Sequence, residues 1–388
     1  MQNFIFNNPT RIRFGKGVVR DLGMEVGKIT RTVLLVYGGK SCKLNGSYDQ
    51  AKMSLEEYGI DVLELSGVKP NPRISSVRKG VEICKKNSVG AVIALGGGSV
   101  IDCAKMIVVG AKTDKDPWIF LEGKDSAKDG LPLFTVLTLA ATGSEMNSGA
   151  VITNEETNEK FDYASPFMQP RVSFLDPTFT YSVSKWQTAA GTADIMSHIM
   201  EQYFGDVEGS FVQDRLAEAL LKTCIKFGPI AVEKPNDYQA RSNLMWASSL
   251  ALNGLLSSGH SYPWVVHPIE HPVSGFYDIT HGAGLACITP KYFRYVLNEK
   301  NAPRFASFAR NVFDITDSGN DLTVANKGID ALEDFFASLG LPKHLREMNV
   351  KDDKFKEMAE QVYERTQFEG SFAELSINDI VNIYKKSY

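Results

Sequence analysis

Cysteine is scarce in this chain, five residues in 388. Cys42, Cys84, Cys103, Cys224 and Cys287 are odd in number, scattered and without CxxC spacing, which argues against a disulfide framework and against a thiolate zinc site. No charge of one sign dominates: 42 Lys and Arg stand against 46 Asp and Glu, a net charge of -4. The two signs are interspersed, so there is neither a basic tract for nucleic acid nor an acidic tail. Long apolar runs of membrane-spanning length are missing too, and the opening MQNFIFNNPT puts Asn and Pro where a signal peptide needs an apolar stretch. The absences leave an expectation of a cytoplasmic protein with a small-molecule partner, binding neither nucleic acid nor membrane.

What is present is organised in two halves. At this length one hydrophobic core normally gives way to two. From Arg31 to Ile93 short apolar runs (Thr32 to Tyr37, Asp61 to Leu65, Gly90 to Leu95) alternate with helix-like stretches (Tyr48 to Tyr58, Ser75 to Lys86), a parallel α/β pattern. Two further strands are expected at Leu133 to Leu139 and Arg171 to Leu175. Beyond Pro177 strand-like runs fade, and Ser184 to Phe204, Ser210 to Phe227, Tyr238 to Ser257, Asp330 to Leu339 and Lys354 to Thr366 read as helices rich in Ala, Leu, Met, Glu and Lys. The expected division is an α/β domain over residues 1–178 and an all-α domain over 179–388.

Two glycine turns follow expected strands. Gly96-Gly97-Gly98-Ser99 sits between the run ending at Leu95 and a helical stretch with Asp102 in its first turn. Glycines let the backbone approach a ligand, and a helix N-terminus offers free N–H groups and a positive dipole end to a pyrophosphate. The spacing is not GxGxxG, and an ordinary tight turn is the competing reading. The second turn is Gly38-Gly39-Lys40-Ser41. It carries no carboxylate for a ribose 2′-hydroxyl but offers a charge and a hydroxyl to a 2′-phosphate, which favours NADP(H) over NAD(H); a solvated surface lysine is the plainer alternative.

Histidine is rarer than its distribution suggests: of six, four (His260, His267, His271 and His281) fall between positions 260 and 281. At about 100° per residue Asp194, His198 and Glu201 lie within roughly 60° of one another on a helix. His267 and His271 repeat the spacing of four in HPIEHP, and His281 opens HGAG, read as a flexible glycine turn able to aim its ring inward. Imidazoles with a carboxylate and no thiolate suit Fe(II) or Zn(II) better than Mg(II) or Ca(II). Such a Lewis acid is what alcohol oxidation needs, because the hydroxyl must lose its proton as hydride leaves its carbon. A histidine beside the metal but not bound to it can relay that proton.

GGGSVIDCAK, TLAATGSEMNSGAVITN, LDPTFT, GTADIMSHIMEQYF, HPIEHPVSG and HGAGLA, in this order and spacing, resemble the iron-containing alcohol dehydrogenase family, and within it the NADPH-dependent butanol dehydrogenase and aldehyde reductase branch. The similarity runs from about Phe4 to the C-terminal helices. It implies a Rossmann-like dinucleotide domain, an all-helical domain, a cleft between them for metal, substrate and nicotinamide, a homodimer, and a small alcohol or aldehyde as substrate. Carried over, the metal ligands are Asp194, His198, His267 and His281, with His271 a candidate proton relay. Gly96, Gly97, Gly98 and Ser99 hold the pyrophosphate with Asp102 close by; Thr138, Thr142 and Asn147 approach the nicotinamide half; Asn71 and Lys160 meet ribose or phosphate. Lys40 departs from the family's small residue at that position, and Pro268 directly follows a proposed ligand, acceptable if His267 precedes a helical turn. His260 and His344 match no ligand position.

Two other readings use the same features. A lyase resembling dehydroquinate synthase needs a strongly basic site for a phosphorylated substrate, whereas Tyr262, Trp264, Val265, Val266, Ile269 and Phe276 surround the histidines and suit an uncharged alcohol. A non-catalytic nucleotide or metal sensor would have lost ligands or glycines, and none is missing.

Overall fold

The computed structural model describes every residue except 206–208, 261, 367, 369 and 370. Its first compact unit takes in Asn7–Val183 and Lys234–Asn253. Six parallel strands form its sheet in the order β1-β8-β5-β4-β2-β3: β1 (Arg11–Phe14), β2 (Thr32–Tyr37), β3 (Asp61–Leu65), β4 (Ala91–Gly96), β5 (Leu133–Leu137) and β8 (Val172–Leu175). An antiparallel hairpin, β6 (Gly149–Asn154) with β7 (Glu159–Ala164), stands apart from it. The central strands are apolar on both sides because both faces are covered. Val33 and Leu35 of β2 join Leu22 and Leu55 in one buried layer, while Leu34 and Val36 join Ile101 and Ile107 in the other. The helix Gly98–Gly110 supplies those last two contacts and is almost wholly buried.

Chain order leaves β2 toward β3 on one side and enters β4 on the other, so the direction of winding reverses between β2 and β4. In open α/β sheets the carboxyl ends of the strands at such a reversal leave a crevice for ligands. Both glycine turns emerge there: Tyr37 pairs with Leu95 across the two strand ends, Gly38–Ser41 follow the first and Gly97–Ser99 the second.

The second unit comprises Met1–Phe6, Ser184–Glu233 and Gly254–Tyr388, and its regular elements are helices. The helix Lys185–Tyr203, started by the Ser184 hydroxyl accepting from Gln187 N–H, is buried on nearly all sides. Phe204, Phe293, Phe305 and Phe308 pack ring to ring at centroid distances of 4.5–5.2 Å. The N-terminal hexapeptide is tied in by Gln2 N–H to the Gly259 carbonyl, 2.7 Å. Among the described residues no helix is long and apolar enough to cross a membrane.

Several elements differ from expectation for identifiable reasons. The helix expected over Tyr238 to Ser257 stops at Ala251, and Gly254, at φ +89°, carries the reversal that follows. That helix also belongs with the sheet: the Ser249 hydroxyl donates to Glu145 Oε1 at 2.5 Å, and Trp246 packs edge-on against Phe14. A single cut near residue 178 therefore does not describe the compact units. The helix Phe211–Glu233 continues past Phe227 through Pro229, with Gly228 pressed against Thr192. HGAG is no flexible turn. It opens the helix His281–Val296, and a Cβ on Gly282 would lie 2.0 Å from the Ala190 carbonyl oxygen, so the glycine permits close helix packing.

Candidate functional site

Four of the residues singled out in the helical unit meet at one point. Asp194 and His198 lie one turn apart on the buried helix Lys185–Tyr203, His267 in the first turn of the helix Val266–Tyr277, and His281 at the start of the helix His281–Val296. Around Asp194 Oδ1 stand three imidazole Nε2 atoms, of His198 at 3.8 Å, His267 at 3.8 Å and His281 at 3.9 Å. Pro268 sits in the first turn of its helix, where an N–H would have no intrahelical partner.

Asp194 Oδ1 and His267 Nε2 are buried without a hydrogen-bond partner, a condition that ordinarily costs about 1–3 kcal/mol per group. The separations are too long for hydrogen bonds but close to the ~3.4 Å between two donors that each lie about 2.1 Å from one tetrahedral ion. One ligand atom each from Asp194, His267 and His281 lies within 4.8 Å of the others. These residues fit a divalent cation. Burial pushes the Asp194 carboxyl up, but His198, His267 and His281 outweigh it and hold the group well below the usual carboxylate range. Burial likewise pushes His267 down, and Asp194 with Glu201 raises it instead, to about 9.

Behind the rings are two carboxylates that the sequence reading left without a role. His267 Nδ1 donates to Glu201 Oε1 at 3.0 Å, and the same carboxylate accepts the backbone N–H of His267 at 2.8 Å and of Val265 at 3.1 Å. His281 Nδ1 is bonded to Glu270 Oε2. Each carboxylate fixes the tautomer that leaves Nε2 facing inward. Glu201 was visible on the chelating face; Glu270 could have been suspected from its place between two histidines in HPIEHP. His271 stands beside the cluster, its ring 6.5 Å from that of His267 and 5.6 Å from that of His281. Trp264 meets the His198 and His267 rings edge-on at 6.0 and 4.9 Å. His260 is bonded to the Leu256 carbonyl at 2.6 Å, and His344 lies at the start of a short helical turn; neither joins the cluster.

In the sheet unit the residues assigned to a dinucleotide gather at the strand ends. No side chain caps the helix Gly98–Gly110, whose N-cap is Gly97. The glycines are required by close approach, since a Cβ on Gly98 would strike Thr142 at 2.4 Å and one on Gly96 would strike Val100 at 2.6 Å. Thr138 N–H donates to the Gly96 carbonyl at 3.0 Å, joining the loop after β5 to the glycine turn. Asp102 turns toward that loop, accepting from Ser144 Oγ at 2.6 Å and Val151 N–H at 3.0 Å. Asn71, at φ 49°, and Lys160 meet although 89 positions apart, Lys160 Nζ donating to Asn71 Oδ1 at 3.0 Å. Lys40 and Ser41 are exposed at the second glycine turn.

Comparison with known proteins agrees with this geometry. A family model described as iron-containing alcohol dehydrogenase matches residues 9–177, and one for the C-terminal part of the Fe-containing alcohol dehydrogenase family matches 188–388. The chain is 49% identical to the NADH-dependent butanol dehydrogenase A of Clostridium acetobutylicum, covering 100% of both chains. It is 37% identical to the NADPH-dependent aldehyde reductase YqhD of Escherichia coli over 90% of each. The crystal structure of an NADH-dependent butanol dehydrogenase A from Thermotoga maritima superimposes with a TM-score of 0.95 at 39% identity, covering 100% of this chain and 99% of that one. With both halves matched and its donor cluster buried in the helical unit, the chain belongs to the iron-containing alcohol dehydrogenase family.

Proposed function

We propose that the protein is a metal-dependent oxidoreductase that transfers hydride between NADP(H) and small primary alcohols or aldehydes. Asp194, His198, His267 and His281 would hold one Fe(II) or Zn(II) ion. The observation that carries the reading is the convergence of three Nε2 atoms on one unpartnered carboxylate oxygen at 3.8–3.9 Å. A cation bound there supplies Lewis acidity, which eases loss of a hydroxyl proton in one direction and polarises a carbonyl in the other. Asp194 contributes the negative charge that offsets such a cation. Glu201 and Glu270 hold the rings of His267 and His281 so that little reorganises during the reaction. His271, its ring 5.6 Å from that of His281, would take up or return the hydroxyl proton.

For the cofactor, the uncapped N-terminus of the helix Gly98–Gly110 suits a pyrophosphate. Asn71 with Lys160 would meet ribose or phosphate, with Thr138, Thr142 and Asn147 toward the nicotinamide and Asp102 bracing their loop. NADP(H) is favoured because Gly38 and Gly39 present no carboxylate while Lys40 and Ser41 offer charge and a hydroxyl. Glu64 on the adjacent strand is engaged by Tyr37 and Tyr48, each at 2.8 Å. The relatives named above include both NADH- and NADPH-dependent enzymes, so this preference needs its own test. The five cysteines are free and buried, in line with work in a reducing cytoplasm; a homodimer is proposed from the family resemblance. Relatives named as dehydrogenases and reductases do not favour a lyase or a non-catalytic sensor.

The test follows absorbance of NADPH and of NADH with butanal, using protein stripped of metal and then reloaded with Fe(II) or Zn(II). Metal-dependent oxidation with NADPH well ahead of NADH supports the whole reading. A preference for NADH overturns only the cofactor assignment, and no oxidation with either metal overturns the reaction.

A further inference from the structure

Two ionisable groups of the sheet unit have no exposed surface, Lys105 on the helix Gly98–Gly110 and Glu145 in the loop after β5, and the partly buried Asp102 lies one turn before Lys105. Lys105 has no exposed surface, so it can touch no ligand. Its Nζ donates to Asn147 Oδ1 and to the Gly149 carbonyl, each at 2.7 Å. Asn147 Oδ1 also accepts Gly149 N–H at 3.0 Å, and Asn147 Nδ2 donates to the Gly143 carbonyl at 3.0 Å. The orientation of the Asn147 side chain is therefore set by Lys105 on one side and by the loop backbone on the other.

One turn earlier on the same helix, Asp102 holds Ser144 and Val151. Two side chains three positions apart thus fasten the segment 144–151 to the helix whose first residues form the glycine turn. Burial pushes the Lys105 ammonium down to about 8 against the pull of Asp102 and Glu145. An apolar residue of similar length would fill the space without that desolvation cost, but it could not fasten the loop.

We propose that Lys105 is a positioning residue for hydride transfer. Through Asn147 it sets the register of the nicotinamide-side loop against the helix that holds the pyrophosphate. This rests on the reading that Asn147 approaches the nicotinamide. Misplacing a reacting group by about 1 Å is enough to lower the rate a hundredfold, so the effect should fall on the chemical step and spare binding of the adenine half.

The experiment compares Lys105→Met, Asn147→Ala and the double variant in the metal-loaded protein. It measures affinity for 2′,5′-ADP, kcat, and the primary deuterium isotope effect with a 1,1-dideuterated alcohol. Expected for Lys105→Met are unchanged 2′,5′-ADP binding, kcat lowered about 10- to 100-fold, an increased isotope effect, and partial recovery in Lys105→Arg. The double variant should be no slower than Asn147→Ala alone. Multiplying losses, or a fall in 2′,5′-ADP affinity parallel to kcat, would overturn the inference in favour of a general structural role. If Asn147→Ala leaves kcat and isotope effect unchanged, the reading of the loop fails. If Asn147→Ala is impaired and Lys105→Met is not, only the inference about Lys105 fails. Lys105→Gln, which keeps N–H donors, gives the same comparison where Lys105→Met does not fold.

Discussion

Each unit buries a cluster of ionisable side chains, and the two are built on opposite plans. In the helical unit, three histidine Nε2 atoms stand 3.8–3.9 Å from Asp194 Oδ1, and Asp194 Oδ1 and His267 Nε2 have no hydrogen-bond partner. In the sheet unit, Asp102 and Lys105 close their contacts at 2.6–3.0 Å on neighbouring backbone and side-chain groups. Both carry a desolvation cost. Only the first leaves its donors aimed at a common point, as a ligand site requires; the second saturates its donors internally, as a brace does. Burial alone does not separate the two, whereas donor separation does.

The sharpest way to break the comparison is to remove a donor from the first cluster. Asp194→Ala should lose the bound ion, by elemental analysis, and at least about a thousandfold in kcat/KM; a variant that keeps the ion and its turnover would show that the convergence is not a ligand site. Asp102→Ala removes part of the brace. With the Ser144 hydroxyl and the Val151 N–H left without their acceptor, the unfolding free energy should fall by about 1–3 kcal/mol, read by urea denaturation, and by the same amount with and without a chelator. A chelator-dependent loss would mean that the two clusters are not independent.

A milder change tests whether the carboxylates behind the rings belong to the first plan. Glu270→Gln should weaken metal affinity about 10- to 100-fold while leaving the ion bound at saturation, measured by competition with a chromophoric chelator. The smallest effect concerns a partly exposed pair of contacts beside the turn Gly38–Ser41. Burial pushes Glu64 up, but Tyr37, Tyr48 and Lys52 outweigh it and hold its carboxyl below the ordinary range. A carboxyl lowered in the folded state stabilises above its unfolded pKa, and that contribution is lost as pH falls through the folded value. Glu64→Gln should therefore lower the unfolding free energy at pH 7 by a few tenths of a kcal/mol, read as a slightly lower Tm, with the gap closing as pH falls through the lowered pKa of Glu64. A gap that persists in acid would assign the effect to packing.

How far the sequence predicted all this depended on how each residue works. β2, β4 and β5 stood out because a doubly covered parallel strand is an unbroken apolar run. β1, Arg11–Phe14, has charged residues at alternate positions and lies at the sheet edge, so it showed no such run. The hairpin strand β7, EKFDYA, is half polar and was equally hidden. Asp194 and His198 could be placed together because a single helix spaces them, but Glu270 acts behind a ring eleven positions away, a relation that no local period encodes. The two prolines of HPIEHP disguised the helix Val266–Tyr277, and the glycines of HGAG suggested mobility where they provide close packing.

Gly282 sets a clearance in the sense a machinist would use the word. With only 2.0 Å between the position of a Cβ there and the Ala190 carbonyl oxygen, any larger residue must push the helix His281–Val296 outward. His281 is the residue just before it and would be carried with the helix. The gauge of the donor cluster is thus fixed by an atom that is missing from the side of a helix. A methyl group that touches no reacting atom would throw the site out of adjustment.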